Sequence, residues 1–217
     1  MRFYAFDYSL NLKEIGTYPQ SEAMVSSYDY GADNSIYKID YSSRITIDPN
    51  FNALALHKKA KVLDLMSSVT VPGLSRIVSP RFWELISKFE YDREYQLFNL
   101  TFKRAAEQYD YLFYYNFVSR FEYLDFDKID FFKTNMIGEN AEPIAINSQI
   151  ELLKYSRRNG DFIQPRRLSF KNVKHDLFRL YGFADNYYVS ERLVEASQSA
   201  GITGVHFKPI EDLVFIR

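Results

Sequence analysis

Three histidines, His57, His175 and His206, are the residues best suited to proton transfer or metal ligation near neutral pH. No two of them stand at the i, i+4 spacing of a His-Glu-x-x-His zinc site, and no Gly-x-Ser-x-Gly elbow accompanies them. His206 lies between Val205 and Phe207, so a strand would turn it away from both neighbours. Cysteine is absent, which excludes disulfides, thiolate zinc sites and a cysteine nucleophile. The glycines form neither a G-x-G-x-x-G fingerprint nor a Walker loop. Asp125, Asp127 and Asp130 suggest a cation loop, but Ile129 and Asp130 stand where a calcium loop needs its next oxygen ligand and its glycine. The sequence therefore predicts no catalytic residue, no cofactor and no metal.

Charge offers two further chemistries. Lys154, Arg157, Arg158, Arg166, Arg167, Lys171 and Lys174 are opposed in their window only by Asp161. With Tyr155, Phe162 and Phe170 nearby, this cluster could hold a nucleic-acid backbone and stack bases. Arg157 and Arg158 also lie where cations complement a helix C-terminus. The formal net charge of −1 argues against a protein that coats nucleic acid by charge. A nucleic-acid-binding module and a small hydrolase remain as alternative readings. The preferred expectation is no nucleic-acid partner.

The elements that would position these residues are partly legible. Tyr37, Ile39 and Tyr41 alternate with polar neighbours like a half-buried strand, with Asp48-Pro49-Asn50 as a turn beyond. Pro19 to Ser35 reads as a long loop. Strands are expected at residues 3–8, 62–66, 95–102, 111–118, 176–180, 187–189, 204–209 and 213–216. Helices are expected near 80–89, 146–158 and 190–200. Ser79 and Ser190 are suited to N-caps, since a serine oxygen can accept from a free N–H of the first turn. Pro80 suits the first helical position, and Gly201 a left-handed C-terminal stop. The segments Ile77–Ile86 and Tyr188–Ser197 agree at four of ten positions, offset by 111 residues: Val78/Val189, Ser79/Ser190, Arg81/Arg192 and Glu84/Glu195. This suggests a duplicated β-α-β unit, although the same cap chemistry used twice would look alike.

Several of these segments together resemble a known family. They are IVSPRFWELI, YLFYYNFVSRFEYLDFD, DLFRL, YVSERLVEA and AGITGVHFKP. The chain resembles bacterial polymorphic-toxin immunity proteins over roughly residues 62–212, most specifically at Ser190 to Pro209. The resemblance implies a non-enzymatic protein that binds a cognate secreted toxin and neutralises it by occluding or distorting the toxin domain. It implies no catalytic residue and does not identify the contact surface. Two acidic, tyrosine-bearing groups are the candidate toxin contacts: Tyr28, Asp29, Tyr30 and Asp33, and Glu122, Tyr123, Asp125 and Asp127. Tyrosine offers contact area with few rotors, and carboxylates steer a basic partner.

The expected fold class is α+β, or mixed α/β, with sheets covered by a few helices. Residues 1–60 are expected to form a strand and loop region packed on a main domain of residues 61–217, the whole making one compact domain. No signal peptide or membrane span is apparent, so the expectation is a cytoplasmic protein with no membrane partner. The aromatic share of 18% is high. Its concentration at 3–8, 95–102 and 111–132 predicts a sheet core.

Overall fold

A computed structural model describes residues 1–41, 43–71, 75–134, 141–156, 162–180 and 186–213. The fold is mixed α+β. The first elements are β1 (Phe3–Tyr8), α1 (Leu12–Ile15), β2 (Ser21–Met24), β3 (Leu54–Leu56), β4 (Leu65–Met66) and β5 (Ser75–Val78). Next come α2 (Pro80–Ile86), β6 (Tyr95–Arg104), β7 (Glu107–Asn116), β8 (Phe131–Thr134), β9 (Glu142–Ile144) and α3 (Gln149–Ser156). The last are β10 (Phe162–Pro165), β11 (Leu177–Leu180), β12 (Asn186–Ser190), α4 (Glu191–Ser199) and β13 (Val205–Pro209). No described helix is long and apolar enough to cross a membrane.

Six strands form one sheet in the order β2-β3-β6-β7-β5-β4. It curls until its edges meet at a parallel bridge between Ser21 and Ser68. Gln20, buried beside the seam, accepts from the Ser67 amide at 2.9 Å and donates to the Lys61 carbonyl at 2.8 Å. Phe51, Leu54, Leu100, Phe102 and Phe113 pack within the curl. A four-stranded sheet, β11-β12-β1-β13, and a three-stranded sheet, β10-β8-β9, make up the rest. Phe131, Ile163, Phe178 and Tyr188 belong to a second core there.

The two Val-Ser-x-Arg segments lie in units of equivalent geometry, which extend beyond the motif. In the first copy β4, β5, α2, β6 and β7 follow one another, with strand order β4-β5-β7-β6. In the second, β11, β12, α4 and β13 follow one another, with strand order β11-β12-β1-β13. The N-terminal strand β1 thus fills the place that β7 fills in the first copy. The registers agree: Val78 faces Leu65 and Leu112, and Val189 faces Leu177 and Tyr4. Tyr114 faces Leu97, and Phe6 faces Phe207. All ten of these residues share a third core with Phe82 and Ile86 of α2 and Leu193 and Val194 of α4. Arg76 also joins the copies: it leaves β5, donates to the Phe6 carbonyl at 2.9 Å and lies 4.9 Å from the Tyr187 ring centroid.

Several expectations change. Residues 1–60 are built into the same sheets as the rest of the chain: β1 is an inner strand of the C-terminal unit, and β2 and β3 belong to the curled sheet. The boundary at 60/61 would cut through two sheets. Tyr37 to Tyr41 is not a strand. Ile36–Lys38 forms a 3-10 turn in which Ile36 is buried and Tyr37 exposed. The turn is set by Lys38 N–H donating to the Ser35 carbonyl at 3.0 Å. Pro19 to Ser35 contains β2 as well as loop, and the strand expected at 62–66 is only Leu65–Met66. The stretch 121–130 folds as two 3-10 turns, Phe121–Tyr123 and Phe126–Lys128. The expected helix at 146–158 is described as Gln149–Ser156. Arg157, Arg158 and Asp161 lie outside the described residues, as does all but Leu213 of the strand expected at 213–216.

Candidate functional site

The motif residues carry a matched pair of polar clamps. The Ser79 hydroxyl accepts from the Phe82 amide at 3.1 Å and donates to the Asp64 carboxylate at 2.7 Å. Arg81 donates to the same carboxylate at 2.6 and 3.1 Å. In the second copy Ser190 caps α4 and donates to Asp176, to which Arg192 donates at 2.6 and 3.2 Å. The copies then interlock. Asp64 accepts from the amide and the hydroxyl of Thr203, in the loop after α4, both at 2.9 Å. Asp176 accepts at 3.2 Å from the amide of Glu90, in the segment after α2. Burial would raise the Asp64 pKa, but donors from Arg81, Ser79 and Thr203 outweigh it and hold the carboxyl below its ordinary range. Each arginine is more than half exposed, but each carboxylate is committed. These residues do structural work.

The two acidic-aromatic groups are split by folding. Tyr28 is buried, and its hydroxyl accepts from the Ile36 amide at 2.8 Å. It therefore supports a surface and offers little of its own. Tyr30 and Tyr37 lie over it, each 55% exposed, with ring centroids 5.3 Å apart. Asp29 and Asp33 are exposed alongside, Asp33 within 3.5 Å of Lys38. In the second group Tyr123 is buried, with its hydroxyl 2.7 Å from His175 Nδ1. Asp125 is buried too, paired with Lys128 at 3.1 Å and Lys171 at 3.2 Å, which hold its carboxyl below its ordinary range. Glu122 and Asp127 remain exposed, facing Arg120 and Lys171 respectively. The first group keeps Asp29, Tyr30 and Asp33 together at the surface over buried Tyr28, and the second keeps only Glu122 and Asp127 exposed.

The basic cluster is partly neutralised. Lys171 serves Asp125 and Asp127, and Arg166 lies 4.9 Å from the Phe132 ring centroid. Arg166 also borders an open cleft of about 770 Å3, with Asp127, Asp130 and Phe132 among its walls. The histidines stand apart: His57 Nδ1 accepts from the Lys59 amide, His175 meets Tyr123, and His206 is exposed on β13. Among the described residues no group of three or more His, Asp or Glu side chains is placed to hold a metal ion.

Sequence reasoning missed Asp64 and Asp176. A signal was present, since each opens an Asp-Leu pair 14 or 15 residues before its capping serine. It also missed Tyr37, whose alternation imitated a strand. No protein-family model matches the chain, and no curated protein sequence matches it.

Proposed function

We propose that this chain is an immunity protein, which binds a cognate secreted bacterial toxin in the cytoplasm and neutralises it by covering or distorting the toxin domain. The observation that carries the proposal is the placement of the residues behind the resemblance. Val78-Ser79-Pro80-Arg81 and Val189-Ser190-Glu191-Arg192 occupy equivalent junctions in two copies of one unit, and their polar atoms cap helices and tie the copies together. The likeness is then one of framework, and the work falls to surface that can vary without disturbing it. Neutralisation on this reading is stoichiometric binding and not turnover.

Co-expression with the toxin encoded beside the gene tests the proposal. Growth should be restored, and the two proteins should co-purify. Continued killing with no complex would contradict it.

A further inference from the structure

We infer that the partner-binding surface is the Tyr30–Tyr37 platform together with the recess that Asn34 and Asp48 line, and that its occupant is a protein loop presenting a lysine or arginine. This inference rests on the immunity reading and names the site through which it acts.

Two large side chains are held out to solvent here instead of being buried. The Tyr30 and Tyr37 rings each pack edge-on against buried Tyr28, at 5.1 and 6.4 Å. Tyr28 is fixed by the Ile36 amide and by Ser35 Oγ at 3.2 Å. The loop beneath is tied by Gly31 N–H to Asp29 Oδ1 at 2.8 Å, and by Asn50 N–H to the Asn34 carbonyl at 2.9 Å. A rigid tyrosine surface loses little conformational entropy on binding, which is what makes buried tyrosines effective anchors.

A separate observation adds the charge. Asn34, in the loop between Tyr30 and Tyr37, is also a wall of a recess of about 280 Å3, together with Asp48, Asn50, Asn52 and Asn99. Asn50 Oδ1 and Asn52 Oδ1 already accept from the Asn52 amide and the Thr101 hydroxyl, so the exposed Asp48 carboxylate, with Asn34 and Asn99, is what suits a guanidinium or ammonium group. Asp29 extends the same sign of charge beside the tyrosines, and Asp33, fully exposed, shares its charge with Lys38 at 3.5 Å. The apolar part of the partner loop would cover the rings while its cationic tip enters the recess.

The test uses the full chain and the toxin domain encoded beside it, made inactive by substitution. Binding is measured for wild type, for Tyr30→Ala with Tyr37→Ala, and for Asp33→Lys with Asp48→Lys. Tyr155→Ala, an exposed tyrosine on α3, is the control. Each platform variant should raise Kd by roughly 30-fold or more at an unchanged melting temperature. The charge reversal should also flatten the salt dependence of association. The Tyr155 variant should bind as wild type does. If the platform variants melt and bind like wild type, the inference is overturned and the immunity reading stands. If wild type itself fails to bind, both fall. Should the double alanine variant fold poorly, the charge reversal, made at exposed positions, decides alone.

Discussion

Asp64 and Asp176 occupy the same position in two copies of one structural unit. Each accepts a capping serine hydroxyl and an arginine from its own copy, and each accepts a backbone amide from the segment that follows the other copy's helix. The two carboxylates therefore close the helix starts and lock the copies together. Arg81 adds to the lock by donating at 3.0 Å to the Gly201 carbonyl, beyond the end of α4.

Removing either cap should cost stability. Ser79→Ala and Ser190→Ala are each expected to destabilise by about 1–2 kcal/mol, since each removes a cap and a donor to a buried carboxylate. The Ser190 change should be the larger, because Ser190 is fully buried. Chemical denaturation of the two variants and their double mutant measures both effects.

Low pH should unfold the protein partly through Asp64 and Asp92. Burial alone would raise both pKa values. Donors from Arg81, Ser79 and Thr203 at Asp64, and from Arg120, the Glu94 amide and Asn116 at Asp92, reverse this and hold both below 3.8. A depressed folded pKa gives stability that is present above the unfolded value and lost as pH falls through the folded one. Stability should therefore fall as pH drops below about 4, and Asp92→Asn should shallow that fall. At neutral pH the same change should cost about 2–3 kcal/mol, because it weakens the buried pairing with Arg120.

The place of β1 makes a topological prediction. Tyr4 lies opposite Pro209 at the end of β13, so β13 and β1 are arranged like the β6–β7 hairpin without its turn. A circular permutant joining Leu213 to Met1 by a flexible linker and opened at exposed Leu10 should fold with native circular dichroism and a cooperative melt. Deleting residues 1–8 should abolish the melt, by leaving β12 and β13 without their shared neighbour.

Two glycines of the C-terminal motif should respond differently to alanine. Both have positive φ, +63° at Gly201 and +78° at Gly204. A Cβ at Gly201 meets nothing within 4 Å, so Gly201→Ala should cost about 1 kcal/mol from backbone strain alone. At Gly204 the Cβ would lie 2.4 Å from the Leu65 carbonyl oxygen, so Gly204→Ala should cost at least about 2 kcal/mol more. Thermal melts separate the two.

Local signals were legible where one residue determines its own neighbourhood. The serine caps, Pro80, the helices at 80 and 190 and the aromatic sheet core could all be read from spacing. The missed features are long-range. Nothing near residue 3 says that β1 will complete a unit whose other strands lie beyond residue 176. The alternation at Tyr37 to Tyr41 is a genuine period of two, overridden when the buried Tyr28 hydroxyl takes the Ile36 amide. Tyr28, Tyr123 and Asp125 looked like surface by residue type, but packing and pairing bury them, and periodicity does not report partners brought from elsewhere. Tyr30, Asp29 and Asp33 were named from sequence; Tyr37 and Asp48 joined them only once the loop was folded.

Titration of toxin activity tests the central claim most directly. Increasing amounts of this chain are added to a fixed amount of the active toxin domain. Activity should fall linearly to zero at a fixed molar ratio and stay there with added substrate. Undiminished activity at a large excess of this chain would contradict the account.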